Sequence, residues 1–330
     1  MTLRKLALAL AATAALSSVP AQAERLAVDG VYAARTDGAR GVTEISIEPI
    51  RGREGIALEN ALADQFGSAR IYGEQHFRIV PSSFDNEGSD PGYAQLRGFA
   101  RSRVYDVSDG EIERTRCVRK IKHEDGEKEC VESVTDVYEC RRLHVEFRPD
   151  VALFAGEDAL YQRQDNFSNS ERYCADSSYI PSAEAMIEPM ISRFARAVRL
   201  DLAPEQRFDR IRILESRSGL ERGDRQAFKN AIKLTKSDPV GACIAFEDIL
   251  TRNPYQRSAL YNAALCREAD GQLDLAAEAY GQLILASDKS RFRNGMARVD
   301  SRFLAREQLA SLGPPAVALA SASPQDASSE

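Results

Sequence analysis

The side chains best equipped for chemistry are few. Histidine occurs only at His76, His123 and His144. None is spaced with a second histidine or a cysteine pair as a zinc site requires. The chain has no HExxH, CxxC, GxSxG, P-loop or GxGxxG pattern. No catalytic residue, metal ligand or cofactor is therefore expected; a Ser-His-Asp set assembled only in space is the enzymatic alternative that motifs cannot reveal. Asp85, Glu87 and Asp90 carry the charge to hold calcium, but Gly88 and Pro91 beside them favour an ordinary turn.

Cysteine is the other reactive type, at Cys117, Cys130, Cys140, Cys174, Cys243 and Cys266. An even count in an exported chain points to disulfides. Four lie in the part expected to be α/β and two in the part expected to be helical, so pairing within each part reduces the 15 connectivities to three. Cys117 and Cys130 flank the charged stretch Lys120 to Glu129, centred on the turn signal Asp125-Gly126. A bridge there closes a loop of about fourteen residues and is worth ~3 kcal/mol in the chain-entropy model. That choice leaves Cys140 for Cys174. Cys243 and Cys266 fall on helices expected to be neighbours, where a bridge and two separately buried thiols are both open.

Export is expected from the first residues. Arg4 and Lys5 precede the apolar run Leu6 to Leu16, and Ala21-Gln22-Ala23 supplies small residues for cleavage before Glu24. The run is too short for a membrane span of ~20 residues, and the rest of the sequence contains none. Without residues 1–23 the net charge moves from −6 to −8, because Arg4 and Lys5 leave. A chain of pI 5.4 lacks the basic face that phosphate tracking needs, which excludes a nucleic-acid partner. The expected location is the periplasm.

Residues 24–203 have the pattern of an α+β domain. Thr43 to Ile50 alternates as a strand, Ala57 to Phe66 places Leu58, Ala61, Leu62 and Phe66 on one helical face, and Phe77 to Val80 is a strand stopped by Pro81. Gln95 to Val107 and Val137 to Val151 are long strands rich in β-favouring side chains, followed by a hairpin turning at Gly156-Glu157-Asp158. A helix from Ser182 to Leu200 closes the domain, with Ser182 as N-cap and Pro189 either bending it or marking a later start.

This order, with Glu44-Ile45-Ser46-Ile47-Glu48-Pro49, Ala57 to Phe66, Phe77-Arg78-Ile79-Val80-Pro81 and Leu96-Arg97-Gly98, resembles the family of CsgG, LpoB and the N-terminal domain of TolB. The resemblance implies a mixed-sheet sandwich and a role in envelope assembly or secretion. The lipid-bearing cysteine is missing, four cysteines are extra, and Phe154-Ala155-Gly156 replaces the usual Asp-x-x-x-Gly turn. A membrane-crossing hairpin is excluded by charge on both faces of 111–146.

After a linker at 204–222, residues 223–312 are expected to be all helical. A shift of 34 aligns Ala231 with Leu265, Ala242 with Ala276, Phe246 with Tyr280 and Leu250 with Ile284, and Pro254 ends the first unit. The units 223–256 and 257–290 thus resemble the tetratricopeptide repeat (TPR). Asn230 and the missing second proline depart from the pattern. Arg291 to Leu312 would cap the stack, with Met296, Val299 and Phe303 inward, and a disordered tail would start at Gly313. The resemblance implies a concave face carrying Ala227, Ala231, Lys233 and Leu234 from one unit and Arg257, Tyr261, Asn262, Leu265 and Glu268 from the next. That face would hold an envelope protein or peptide segment, making the chain a non-enzymatic scaffold. The alternatives are an envelope hydrolase and a periplasmic binder of small molecules or peptides.

Overall fold

The computed structural model describes residues 24–81 and 92–312. The leader at 1–23, the acidic stretch with Asp85, Glu87 and Asp90, and the tail from Gly313 lie outside the described residues.

In chain order the first elements are β1 (Arg25–Tyr32), β2 (Glu44–Ile47), α1 (Gly55–Gly67), β3 (Arg70–Ile71), β4 (Glu74–Gln75) and β5 (Arg78–Val80). Then come β6 (Tyr93–Lys122), β7 (Lys128–Ala155), β8 (Asp158–Gln164), β9 (Phe167–Cys174), α2 (Ala183–Leu202) and β10 (Glu205–Arg212). Five helices complete the chain: α3 (Arg222–Leu234), α4 (Pro239–Arg252), α5 (Arg257–Ala269), α6 (Leu273–Ala286) and α7 (Ser290–Ala310). The described residues form two compact units, an α/β unit of 29–208 with 294–312 and a helical unit of 24–28 with 209–293. Strand β1 pairs with β10.

In the α/β unit a mixed sheet runs β5-β2-β6-β7-β8, with β9 also paired to β7. Strand β2 is parallel to β5 and β6, whereas β7 is antiparallel to β6, β8 and β9. The parallel pairs require a crossover, and α1 supplies one between β2 and β5. Its Leu58, Leu62 and Phe66 join Ile45, Leu96, Phe147, Val151 and Leu153 of the sheet and Ile187, Phe194 and Val198 of α2 in one core. The periodic apolar positions of the two helices are therefore what the sheet buries. Ser182 caps α2, its Oγ accepting from the Ala185 N–H at 3.1 Å. The helix starts there and continues through Pro189, which lies past its first turn and removes one main-chain bond from it.

The expected capping helix divides differently. Phe292 belongs to the helical unit, but residues 294–310 of α7 belong to the α/β unit. There Ala305 packs with Val31 and Ile71, and Gln308 brackets Ala34, accepting from its N–H at 2.9 Å and donating to its carbonyl at 3.3 Å. Val299 is buried; Met296 and Phe303 are half-buried.

In the helical unit α3 packs on α4, α4 on α5 and α5 on α6. Asp238 caps α4 by accepting from the Gly241 N–H at 2.9 Å, with Pro239 in the first turn. Ala242 and Ala276 are wholly buried, and the aromatics four residues on fill the space beside them. Phe246 meets Phe228 at 5.6 Å and Tyr280 meets Tyr261 at 6.1 Å between ring centroids. The region expected to link the units is structured: 205–212 is β10, and 213–220 lies along α5.

Candidate functional site

Most of the residues proposed for the open helical face are interior. Tyr261 is 3 % exposed, Asn262, Leu265 and Glu268 are 0 % exposed, and Ala231 is equally buried. Tyr261 lies between Tyr280 and Phe292, the latter at 5.6 Å. Glu268 accepts a hydrogen bond from the Tyr280 hydroxyl at 2.8 Å. Ala227 and Leu234 are half-buried; Lys233 and Arg257 are exposed. The face is not an open groove.

What covers it is the chain itself. Asn262 accepts from the Leu214 N–H at 2.8 Å and donates to the Leu214 carbonyl at 2.9 Å, pairing with both polar groups of one residue. Gln256 donates to the carbonyls of Ser216 at 3.0 Å and Ser218 at 3.2 Å. Arg225 Nε donates to the Leu220 carbonyl at 2.6 Å. Ile213 and Leu220, at the ends of the segment, are 1 % and 2 % exposed. The contacts are to main chain, so a side-chain amide on α5 reads an extended segment without regard to its sequence. A usable signal did exist in the alternation of Ile211 and Ile213, which marks 205–213 as a strand rather than a linker.

The six candidate cysteines form Cys117–Cys130, Cys140–Cys174 and Cys243–Cys266. The second joins facing residues of β7 and β9, and the third ties α4 to α5. Three disulfides fit a protein that resides outside the reducing cytoplasm. No helix among the described residues is long and apolar enough to cross a membrane.

No protein-family model matches the chain. No curated protein matches it either. Among solved structures, a candidate lipoprotein of Caulobacter crescentus is similar at 15 % identity and a TM-score of 0.22, over 50 % of this chain and 90 % of that one. A likeness that low carries no argument about fold or function.

The histidines are placed in packing or at the surface. His76 is held down to about 4 by burial and then by the charge of Arg199, so it is neutral at pH 7. His144 stacks on Tyr105 at 4.9 Å, and His123 meets the Glu129 carboxylate at 2.7 Å. Among the described residues no group of three or more His, Cys, Asp or Glu is arranged to hold a metal. A groove of the α/β unit, about 380 Å³, is open and lies between β9 and α2, where Phe167, Met186 and Met190 meet Arg193.

The β6–β7 hairpin is exposed over its outer part. Its register runs from Gln95–Phe154 to Lys122–Lys128, with irregularities after Ser108 and around Arg119. The turn is 123–127: His123 N–H donates to the Glu127 carbonyl, Gly126 N–H donates to the His123 carbonyl, and Gly126 takes φ 92°. Strand β9 ends opposite Cys140, so 111–122 and 128–139 form a two-stranded arm with no third strand among the described residues. Twelve residues of strand give it a reach of about 40 Å. Isolated two-stranded ribbons are marginal in water, and here Cys117–Cys130 staples the ribbon close to its tip.

Proposed function

We propose that this chain is a non-enzymatic interaction protein of the bacterial envelope that joins an assembly through its β6–β7 arm. The observation that carries this reading is the arm itself. Some 40 Å of ribbon is kept extended by a covalent staple, yet it encloses no core. Val118, Val131, Val134 and Val137 remain 39–57 % exposed on it. A protein gains nothing in stability from such a projection, so contact with another molecule is its physical rationale. The tetratricopeptide and CsgG-like resemblances accord with an assembly role. In this reading the helical unit, whose inner face is filled by 213–220, serves as a scaffold rather than as the peptide groove.

The test replaces 112–138 with Asn-Gly, joining the facing residues Glu111 and Glu139 through a two-residue turn. Photo-crosslinking from positions 118 and 131 in the intact chain, in cells, should trap a discrete envelope species, and the shortened chain should no longer enter it. If the shortened chain enters an assembly of unchanged size and composition, the arm is not the contact.

A further inference from the structure

Charge is sorted by strand over most of the arm, Glu111 and Glu113 at the base of β6 and Lys128 at the turn end of β7 excepted. From 114 to 122, β6 carries Arg114, Arg116, Arg119, Lys120 and Lys122 and no acidic residue. From 129 to 139, β7 carries Glu129, Glu132, Asp136 and Glu139 and no basic residue. The two strands attract each other: Arg116 meets Asp136 at 2.7 Å and Arg119 meets Glu132 at 3.0 Å. These arginines stay 64 % and 66 % exposed, open to a second partner, and Lys120 and Lys122 have no ion-pair partner among the described residues.

Each strand also presents an edge. Unpaired N–H and C=O groups of an exposed strand are a template for a further strand, and the β-branched Val118, Ile121, Val131, Val134 and Val137 suit that environment. Mixed charges along both edges would discourage pairing of every kind. Segregated charges discourage β6 against β6 and β7 against β7, because like charges face each other across the ladder. They leave one combination favourable.

We propose that arms of separate copies of this chain pair edge to edge, β6 of one beside β7 of the next. This rests on the arm being the contact surface and names its partner as a second copy. With β6 running outward and β7 returning, copies placed side by side in the same orientation bring those strands together antiparallel. The ladder within the arm is then continued between arms. Such a contact uses two different surfaces, so it repeats from copy to copy into a ring or filament and does not stop at a two-fold dimer.

Sedimentation velocity of the full exported chain tests this at low and high salt. Wild type should self-associate beyond the dimer in a concentration-dependent way, and raising the salt to about 0.5 M, where screening acts within a few ångströms, should weaken it. The Lys120→Glu, Lys122→Glu variant and the Glu129→Lys, Glu132→Lys variant should each associate at least about tenfold more weakly, since two cross-strand attractions become repulsions. Mixed one to one they should recover the association, because opposite charges again face each other. Circular dichroism of each variant confirms that both units remain folded. A monomeric wild type across the accessible concentration range overturns the proposal, as does a mixture no stronger than its components. Either result leaves the arm's role standing if crosslinks from positions 118 and 131 trap a different protein; crosslinks lost in the shortened chain are the separate measure of that role.

Discussion

Asn262 separates the two ways its helix can be understood. As a groove residue waiting for a partner, its loss would weaken binding and leave the fold intact. In the structure its carboxamide is 0 % exposed and satisfies both the N–H and the C=O of Leu214. Asn262→Ala removes two hydrogen bonds, each worth about 1 kcal/mol net, and strands two main-chain groups, each at about 1 kcal/mol where water reaches poorly. Leu214 is half-buried, so water recovers part of this and the expected loss is about 2–3 kcal/mol. With a urea dependence of about 1–2 kcal/mol per molar for a unit this size, the helical unit's midpoint should fall by about 1–3 M. Amide exchange gives the sharper readout, because the Leu214 N–H should lose at least about tenfold protection while the core of α6 loses only the global share. Asn262→Asp should retain the Leu214 N–H bond but set a carboxylate against the Leu214 carbonyl, and should be destabilised as well. If Asn262→Ala shifts the midpoint by less than about 0.3 M and leaves Leu214 exchange unchanged, the segment does not lie on the helix as described, and the open-face reading returns.

Two further predictions concern the α/β unit. His76 is neutral when folded down to about pH 4, against 6.5 when unfolded. The unfolded chain therefore binds the extra proton in that window, and stability present above pH 6.5 should decline as the pH falls toward 4, by up to about 3 kcal/mol. His76→Gln should flatten that slope in thermal unfolding, and an unchanged slope would assign the acid sensitivity elsewhere. Asp201, 6 % exposed, accepts from the Tyr161 hydroxyl at 2.8 Å and from Arg163 at 2.6 Å. Asp201→Ala should cost about 2–4 kcal/mol because Tyr161 keeps its burial without its acceptor and Arg163 is left with Asp165 alone, at 2.7 Å, and Tyr161→Phe only about 1 kcal/mol. Chemical denaturation giving the reverse order would refute that account.

Much of the α/β layout was legible because burial leaves periodic marks. Leu58, Leu62 and Phe66 on α1 and the N-cap Ser182 on α2 announce helices in the sequence, and the core uses those same side chains. The disulfides were legible in part: a turn at Asp125-Gly126 brings Cys117 toward Cys130, whereas helix neighbourhood left a Cys243–Cys266 bridge and two buried thiols both open, and the structure has the bridge. The length of β6 and β7 was less so. Beyond Val107 their side chains face water on both sides, and a strand without a buried face has no alternation to read. Its existence shows only in β-branched residues spaced among charges.

The face of α5 failed to declare itself for the opposite reason. Tyr261, Leu265 and Glu268 have the spacing of a helix that presents one side to something, and nothing in that spacing says whether the something is a partner or the chain's own segment. The segment that lies there, 213–220, is held between its buried ends Ile213 and Leu220 by carboxamides through its main chain, and main-chain recognition leaves no imprint on the side chains between those ends. A repeat pattern thus locates a surface without establishing that it is vacant. Once the helical unit's inner side is occupied from within, the demand for a partner shifts to surface that costs conformational entropy and encloses nothing. On this molecule that surface is the stapled arm, where the separation of positive β6 from negative β7 both steadies the ribbon and selects which edge a neighbouring copy can join.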